Sequence, residues 1–169
     1  QAFTLIMLVA ITGIGSALFH TFANGITLLA DVVPIGLFVA YYLWTATRRF
    51  LHWTKAKALI AIATLVGAAW LMGQIPAPFN LNGSAPYLPC LAAVVYLGLR
   101  MKAIRHESAE AFFIAATWFS VSLFFRVIDI AMCDFIFIGT HFLWHVCNGF
   151  VMALLTKIVI DHPPLTLKN

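Results

Sequence analysis

Seven residues carry chemistry that does not suit the apolar sequence around them: Ser16, His20, Asp31, Arg126, Asp129, His141 and His145. His141 and His145 are spaced i, i+4, so a helix projects both from one face. Ser16 and His20 have the same spacing. Three imidazoles from two helices make the donor set of a catalytic zinc, which takes three protein ligands and keeps a fourth position for water. The HxxxH spacing alone is weak. A third histidine and a carboxylate, Asp31, at the same depth give it weight. Arg126 and Asp129 are i, i+3 and can pair on one helical face. They are expected to form a neutralised structural pair or to stand behind the site.

These residues sit in a chain that water does not suit. Of 169 residues, 63% are hydrophobic and 9% charged, with a mean hydropathy of +0.97. A soluble domain is normally about one quarter charged. Too few polar groups exist to cover a wet surface, so lipid is the main solvent. Ionisable groups at membrane depth cost about 2.5–3.5 kcal/mol each and are usually kept for function or neutralised by one another. The net charge of +4 does not point to nucleic acid, because the basic residues lie in short connections between apolar runs.

The elements that must position the site are helices. A membrane-crossing helix needs about 20 mostly apolar residues, and six such runs occur, at roughly 2–23, 26–47, 56–75, 85–101, 109–132 and 138–160. There is no strand alternation. The expected fold is an all-α, polytopic bundle forming one domain over 1–162, with a short frayed tail at 163–169. The only long Pro/Gly/Asn-rich connection is 74–86. Arg48, Arg49, Lys55, Lys57, Arg100, Lys102, Arg105, Lys157 and Lys168 fall on alternate connections and the tail, hence on one side. The positive-inside rule makes that side, and the C-terminus, cytoplasmic. The polar residues of the spans then lie toward the other side, within a slab of roughly 10 Å at 1.5 Å per residue.

Other features read blandly. Cys90, Cys133 and Cys147 lie in or beside apolar runs with no CxxC spacing, as small buried residues do; a Cys90–Cys133 bridge is the lesser reading. Trp44 and Trp53 fit an aromatic belt at the basic boundary. His52 and His106 lie among basic loop residues, and His162 lies in the tail. No start methionine or basic segment precedes Ala2, so no signal peptide is read. The chain is expected to be a piece of a longer one, beginning at or inside a span.

The segment Gly13-Ile14-Gly15-Ser16-Ala17-Leu18-Phe19-His20, with Asp31-Val32-Val33-Pro34, resembles the alkaline ceramidase family. So does Gly139-Thr140-His141-Phe142-Leu143-Trp144-His145-Val146-Cys147-Asn148. That family belongs to a superfamily of seven-helix membrane hydrolases that includes the adiponectin receptors. Arg126-Val127-Ile128-Asp129 looks like its bacterial branch. The resemblance spans essentially the whole chain. It implies that His20, His141 and His145 hold zinc, and that Ser16 and Asp31 lie beside the water that zinc activates. It implies hydrolysis of ceramide to a sphingoid base and a fatty acid. It also implies seven spans, of which six are visible. Animal members carry an acidic calcium site before the first helix; nothing equivalent is seen here, so calcium is not carried over.

On that resemblance, zinc brings the pKa of water to about 7. Ser16 is expected to donate to the developing oxyanion. Asp31 is expected to take the proton from water and return it to the leaving amine. The substrate is a lipid within the bilayer, and the setting a bacterial inner membrane or, alternatively, the ER or Golgi. Two other readings stay open: the same site cleaving an acyl ester, or a receptor or proton-relay protein that needs no stoichiometric zinc.

Overall fold

A computed structural model describes residues 1–162; the tail at 163–169, with Lys168, lies outside the described residues. Six α-helices follow in order: α1 Ala2–Phe22, α2 Gly25–Arg49, α3 Lys55–Gly73, α4 Leu88–Ala103, α5 Ala109–Met132 and α6 His141–Asp161. No strand occurs among the described residues. Five helices are long and apolar enough to cross a membrane. The chain is thus an all-α helical bundle with the make-up of an integral membrane protein.

The fourth run is the short one. Its α-helix has 16 residues, preceded by a 3₁₀ turn over Ala85–Tyr87. Pro86 and Pro89 occupy the opening turns of these two pieces. Proline lacks the N–H that a helix interior needs and is best tolerated at such starts.

Neighbouring helices pack in chain order round a ring, which α1 closes against α6. The densest packing lies toward the basic end, where Phe38, Tyr42, Leu97, Met101, Phe112, Leu155 and Val159 are buried together. The outer surface is apolar; Ile26, Ile60 and Trp70 are largely exposed. Such residues suit lipid rather than water.

Two local features bring α1 and α2 together. Asn24 caps α2 by accepting from the Ile26 and Thr27 N–H groups, and Thr27 Oγ1 accepts in return from the Asn24 N–H. This capping box makes a tight corner after His20. Deeper down, Pro34 lies inside α2 and leaves the Ala30 carbonyl without its i+4 donor. Gly15 backs onto that carbonyl so closely that a Cβ there would lie 1.9 Å from the Ala30 oxygen. Only glycine permits this approach, which sets the turn of α1 that carries Ser16 against the backbone of Ala30 and Asp31.

Candidate metal centre

His20 comes from the last turn of α1, and His141 and His145 from the first two turns of α6. The three rings meet edge to face, with centroids 4.7 Å apart for His20/His145, 4.9 Å for His141/His145 and 5.5 Å for His20/His141. One ring nitrogen from each lies within 4.8 Å of the others, close enough to hold a metal ion. Nε2 of His20 and Nε2 of His145 face each other at 2.8 Å. Two bare lone pairs at that distance repel, so the arrangement calls for a proton or a cation between them. A tetrahedral ion bound at about 2.0–2.1 Å sets its ligand atoms roughly 3.3 Å apart, within the 4.8 Å that encloses the three nitrogens here. The donor set therefore fits.

The atoms behind the imidazoles fix their orientation. Ser16 Oγ lies 3.0 Å from His145 Nδ1. With Nε2 turned to the ion, Nδ1–H donates to that hydroxyl, and the Ser16 proton stays free to be donated elsewhere. Holding the His145 ring is a role beyond the expected donation to the developing oxyanion.

Of the two roles expected of Asp129, the pair with Arg126 is not made. No Arg126–Asp129 ion pair occurs within 4.0 Å among the described residues. Asp129 Oδ1 instead accepts from the backbone N–H groups of Thr140 at 2.7 Å and His141 at 2.8 Å. Its Oδ2 stands 3.7 Å from His141 Nδ1. A carboxylate on α5 thus caps the positive N-terminus of α6, where anions are favoured, and steadies the first ligand. The cap explains why α6 begins at His141 rather than at 138. Gly139 has φ of +60°, and a Cβ there would lie 2.5 Å from Asp129 Oδ1.

Asp31 is 8% exposed, and its Oδ1 has no hydrogen-bond partner among the described residues. It makes no ion pair with the histidines. Its backbone N lies against Gly15, next to Ser16. Arg126 turns away from Asp129 and lies over Trp144, 4.6 Å from Cζ to ring centroid, and over Tyr87 at 5.4 Å. All three cysteines are free; Cys147 is buried, but Cys133 is exposed.

Beneath the histidines opens a cavity of about 630 Å³. Ser16, His20 and His145 line its mouth, and Tyr42, Leu97 and Leu155 line its far end, where all but a few lining groups are apolar. From His145 to Leu155 along α6 is about 15 Å at 1.5 Å per residue. An extended chain advances about 1.2 Å per bond, so the cavity holds roughly a dozen carbons in a line. No motif marked this cavity in the sequence, because its lining is spread over all six helices, most of it on α1, α2 and α6.

No family model, no curated protein and no solved structure matches this chain.

Proposed function

We propose that this protein is a zinc-dependent intramembrane hydrolase that cleaves a lipid amide, as the resemblance to alkaline ceramidases implies. One observation carries the reading: three imidazoles from two helices bring ligand nitrogens within reach of one ion, and two of them, His20 and His145, line a long apolar cavity. A receptor or proton relay needs the polar groups but gives no reason for free nitrogens to converge there.

His20, His141 and His145 would hold the ion. Zinc would supply a water acidified to a pKa of about 7 and polarisation of the carbonyl. The remaining work falls to the chain. Asp129 holds α6 so that His141 faces inward, and Ser16 holds the His145 ring. The free Ser16 proton is available to the carbonyl oxygen as it gains charge. Asp31, with an unpartnered buried oxygen at the level of Gly15, accepts the proton of the attacking water and delivers it to the leaving amine. The apolar cavity takes the hydrocarbon chain and keeps water off it. Ceramide, with an amide-linked acyl chain, fits this division of polar mouth and apolar interior.

The basic connections lie at the end opposite the histidines. By the positive-inside rule that end faces the cytoplasm, in a bacterial inner membrane or in the ER or Golgi. The site then faces the other side.

Metal analysis combined with a lipid panel tests the proposal. Purified wild-type protein is expected to carry one zinc per chain and to hydrolyse ceramide; His145→Ala is expected to lose both. Turnover of ester lipids but not amides would move the reaction to acyl-ester cleavage. Activity that survives complete removal of zinc would overturn the reading.

A further inference from the structure

Beside Trp144, which packs against His145, the Arg126 guanidinium carries its charge without a carboxylate partner among the described residues. Arg126 lies over both Trp144 and Tyr87, whose rings meet edge to face with centroids 5.8 Å apart. Such cation–π contacts fix a guanidinium without neutralising it. No carboxylate oxygen lies within 4.0 Å of it among the described residues. Its Nε is buried and unpartnered, and so are Ser84 Oγ and Trp144 Nε1. Ser84 is 1% exposed and Trp144 3% exposed. Gly83, with φ of +71°, brings the connection before α4 onto the guanidinium: a Cβ there would lie 3.5 Å from Arg126 Nη2. Asn82 pins the same stretch by donating to the Arg126 carbonyl at 2.8 Å.

We propose that Arg126, Ser84 and Trp144 form a binding site for an oxyanion carried on the headgroup of the lipid substrate, a phosphate or a carboxylate. An arginine at membrane depth demands a partner, and its planar fork matches these two groups. Arginine and the indole N–H can only donate, so the ligand must accept. The place is apart from the bond-breaking centre. Trp144 stands between, 4.6 Å from Arg126 Cζ and 4.4 Å from the His145 centroid, ring to ring. An anion here belongs to the headgroup, while the hydrocarbon enters the cavity that Tyr87 and His145 line. The inference narrows the proposed lipid amide to one with an anionic headgroup, of which ceramide is the neutral counterpart, and rests on that reading only for the word substrate.

The test uses ether lipids, which contain neither amide nor ester, so binding is read whether or not the protein is a hydrolase. Three dialkylglycerols with identical chains are compared on wild-type protein in nanodiscs of zwitterionic lipid: one with a free hydroxyl, one with a carboxymethyl ether and one with a phosphate. The anionic forms are expected to bind about tenfold or more tighter than the neutral one, as charged hydrogen bonds allow. Arg126→Gln is expected to erase that preference and leave neutral-lipid binding unchanged; Arg126→Lys is expected to keep part of it. Arg100→Gln, an exposed site at the basic end, is expected to change nothing. Equal binding of the three lipids by wild type overturns the proposal even where Arg126→Gln fails to fold. A preference lost in Arg100→Gln would place anion binding at the basic end instead. Displacement by inorganic phosphate at equal concentration would assign the site to a free anion and overturn the headgroup.

Discussion

At one end of the bundle the rings of His20, His141 and His145 lie 4.7 to 5.5 Å apart. At the other, those of His106 and His162 lie 5.1 Å apart. Each cluster has one carboxylate beside it, Asp129 or Glu107. The difference is where the nitrogens go. His106 Nδ1 is used by the Ser108 N–H at 3.1 Å and the Ser108 hydroxyl at 2.8 Å. His162 Nδ1 pairs with Glu107 at 2.9 Å. In the first cluster, nitrogens of His20 and His145 meet each other instead of local partners. Nearness of histidines does not make a site; nitrogens left free and aimed at one point do.

The largest expected effect comes from removing one aimed nitrogen. His20→Ala is expected to abolish stoichiometric metal and all turnover, since two ligands do not replace three. His106→Ala is expected to leave metal content unchanged. Metal analysis of both purified variants checks the contrast, and a His20→Ala protein that keeps its metal would make the two clusters alike.

Gly15→Ala comes next. The added carbon meets the Ala30 backbone rather than a flexible side chain, so α1 must move off α2. Overpacking typically costs about 1–3 kcal/mol, and this case belongs at the upper end. Thermal unfolding should show a clear loss, with weaker metal binding as Ser16 and His20 shift together. Gly67→Ala, where a Cβ meets nothing within 4 Å, should be neutral. Equal melting temperatures for the two variants would show that the close approach is not needed.

The carboxylates sharpen the comparison further. Asp129 is 18% exposed and Glu107 is 81% exposed, so solvent screens only the second pair. Asp129→Ala orphans two N–H groups, at about 1–3 kcal/mol each. Asp129→Asn still accepts from them but lacks the charge facing His141. The asparagine variant is expected to melt near wild type while metal affinity falls about 10–100-fold, as for other groups that orient a ligand. Glu107→Gln should change neither. Unchanged metal affinity in Asp129→Asn would reduce Asp129 to a helix cap.

The residues explain what the sequence made legible. The helices lie close to the expected runs because twenty-residue apolar stretches have one stable form in lipid. His20, His141 and His145 were legible because i, i+4 spacing and depth along a span are one-dimensional quantities. Asp129 was assigned to Arg126 by the same spacing, yet it reaches across to α6, which no spacing within α5 can show. Gly139-Thr140 ahead of His141 was a signal for a helix start that needed a cap. The Tyr87, Arg126 and Trp144 cluster joins three separate elements and left no pattern. Pro34 and Gly15 each looked ordinary; their meaning lies in one carbonyl between them.

The smallest expected effect is a pH dependence at the basic end. His106 lies in the connection before α5, and its pKa is held below the ordinary 6.5, chiefly by burial and then by nearby His162, with Glu107 acting in the opposite sense. A lowered pKa means that the folded protein favours neutral His106. As pH falls through about 6.5, the unfolded chain takes up the proton first and is stabilised. The contribution of His106 is therefore present above about pH 6.5 and is lost as pH falls through its lower folded pKa. Protonation also ends the acceptor role of Nδ1 toward the Ser108 N–H. Asparagine can accept from that N–H and does not titrate. Melting temperatures of wild type and His106→Asn in detergent, from pH 7.5 to 5, are expected to coincide at the upper limit and diverge below about 6.5, with the variant the more stable. Glu107 and His162 are common to both proteins, so the difference reports His106. Parallel curves across the range would show that His106 is as free to take a proton as in the unfolded chain, and that this end too leaves its nitrogens open.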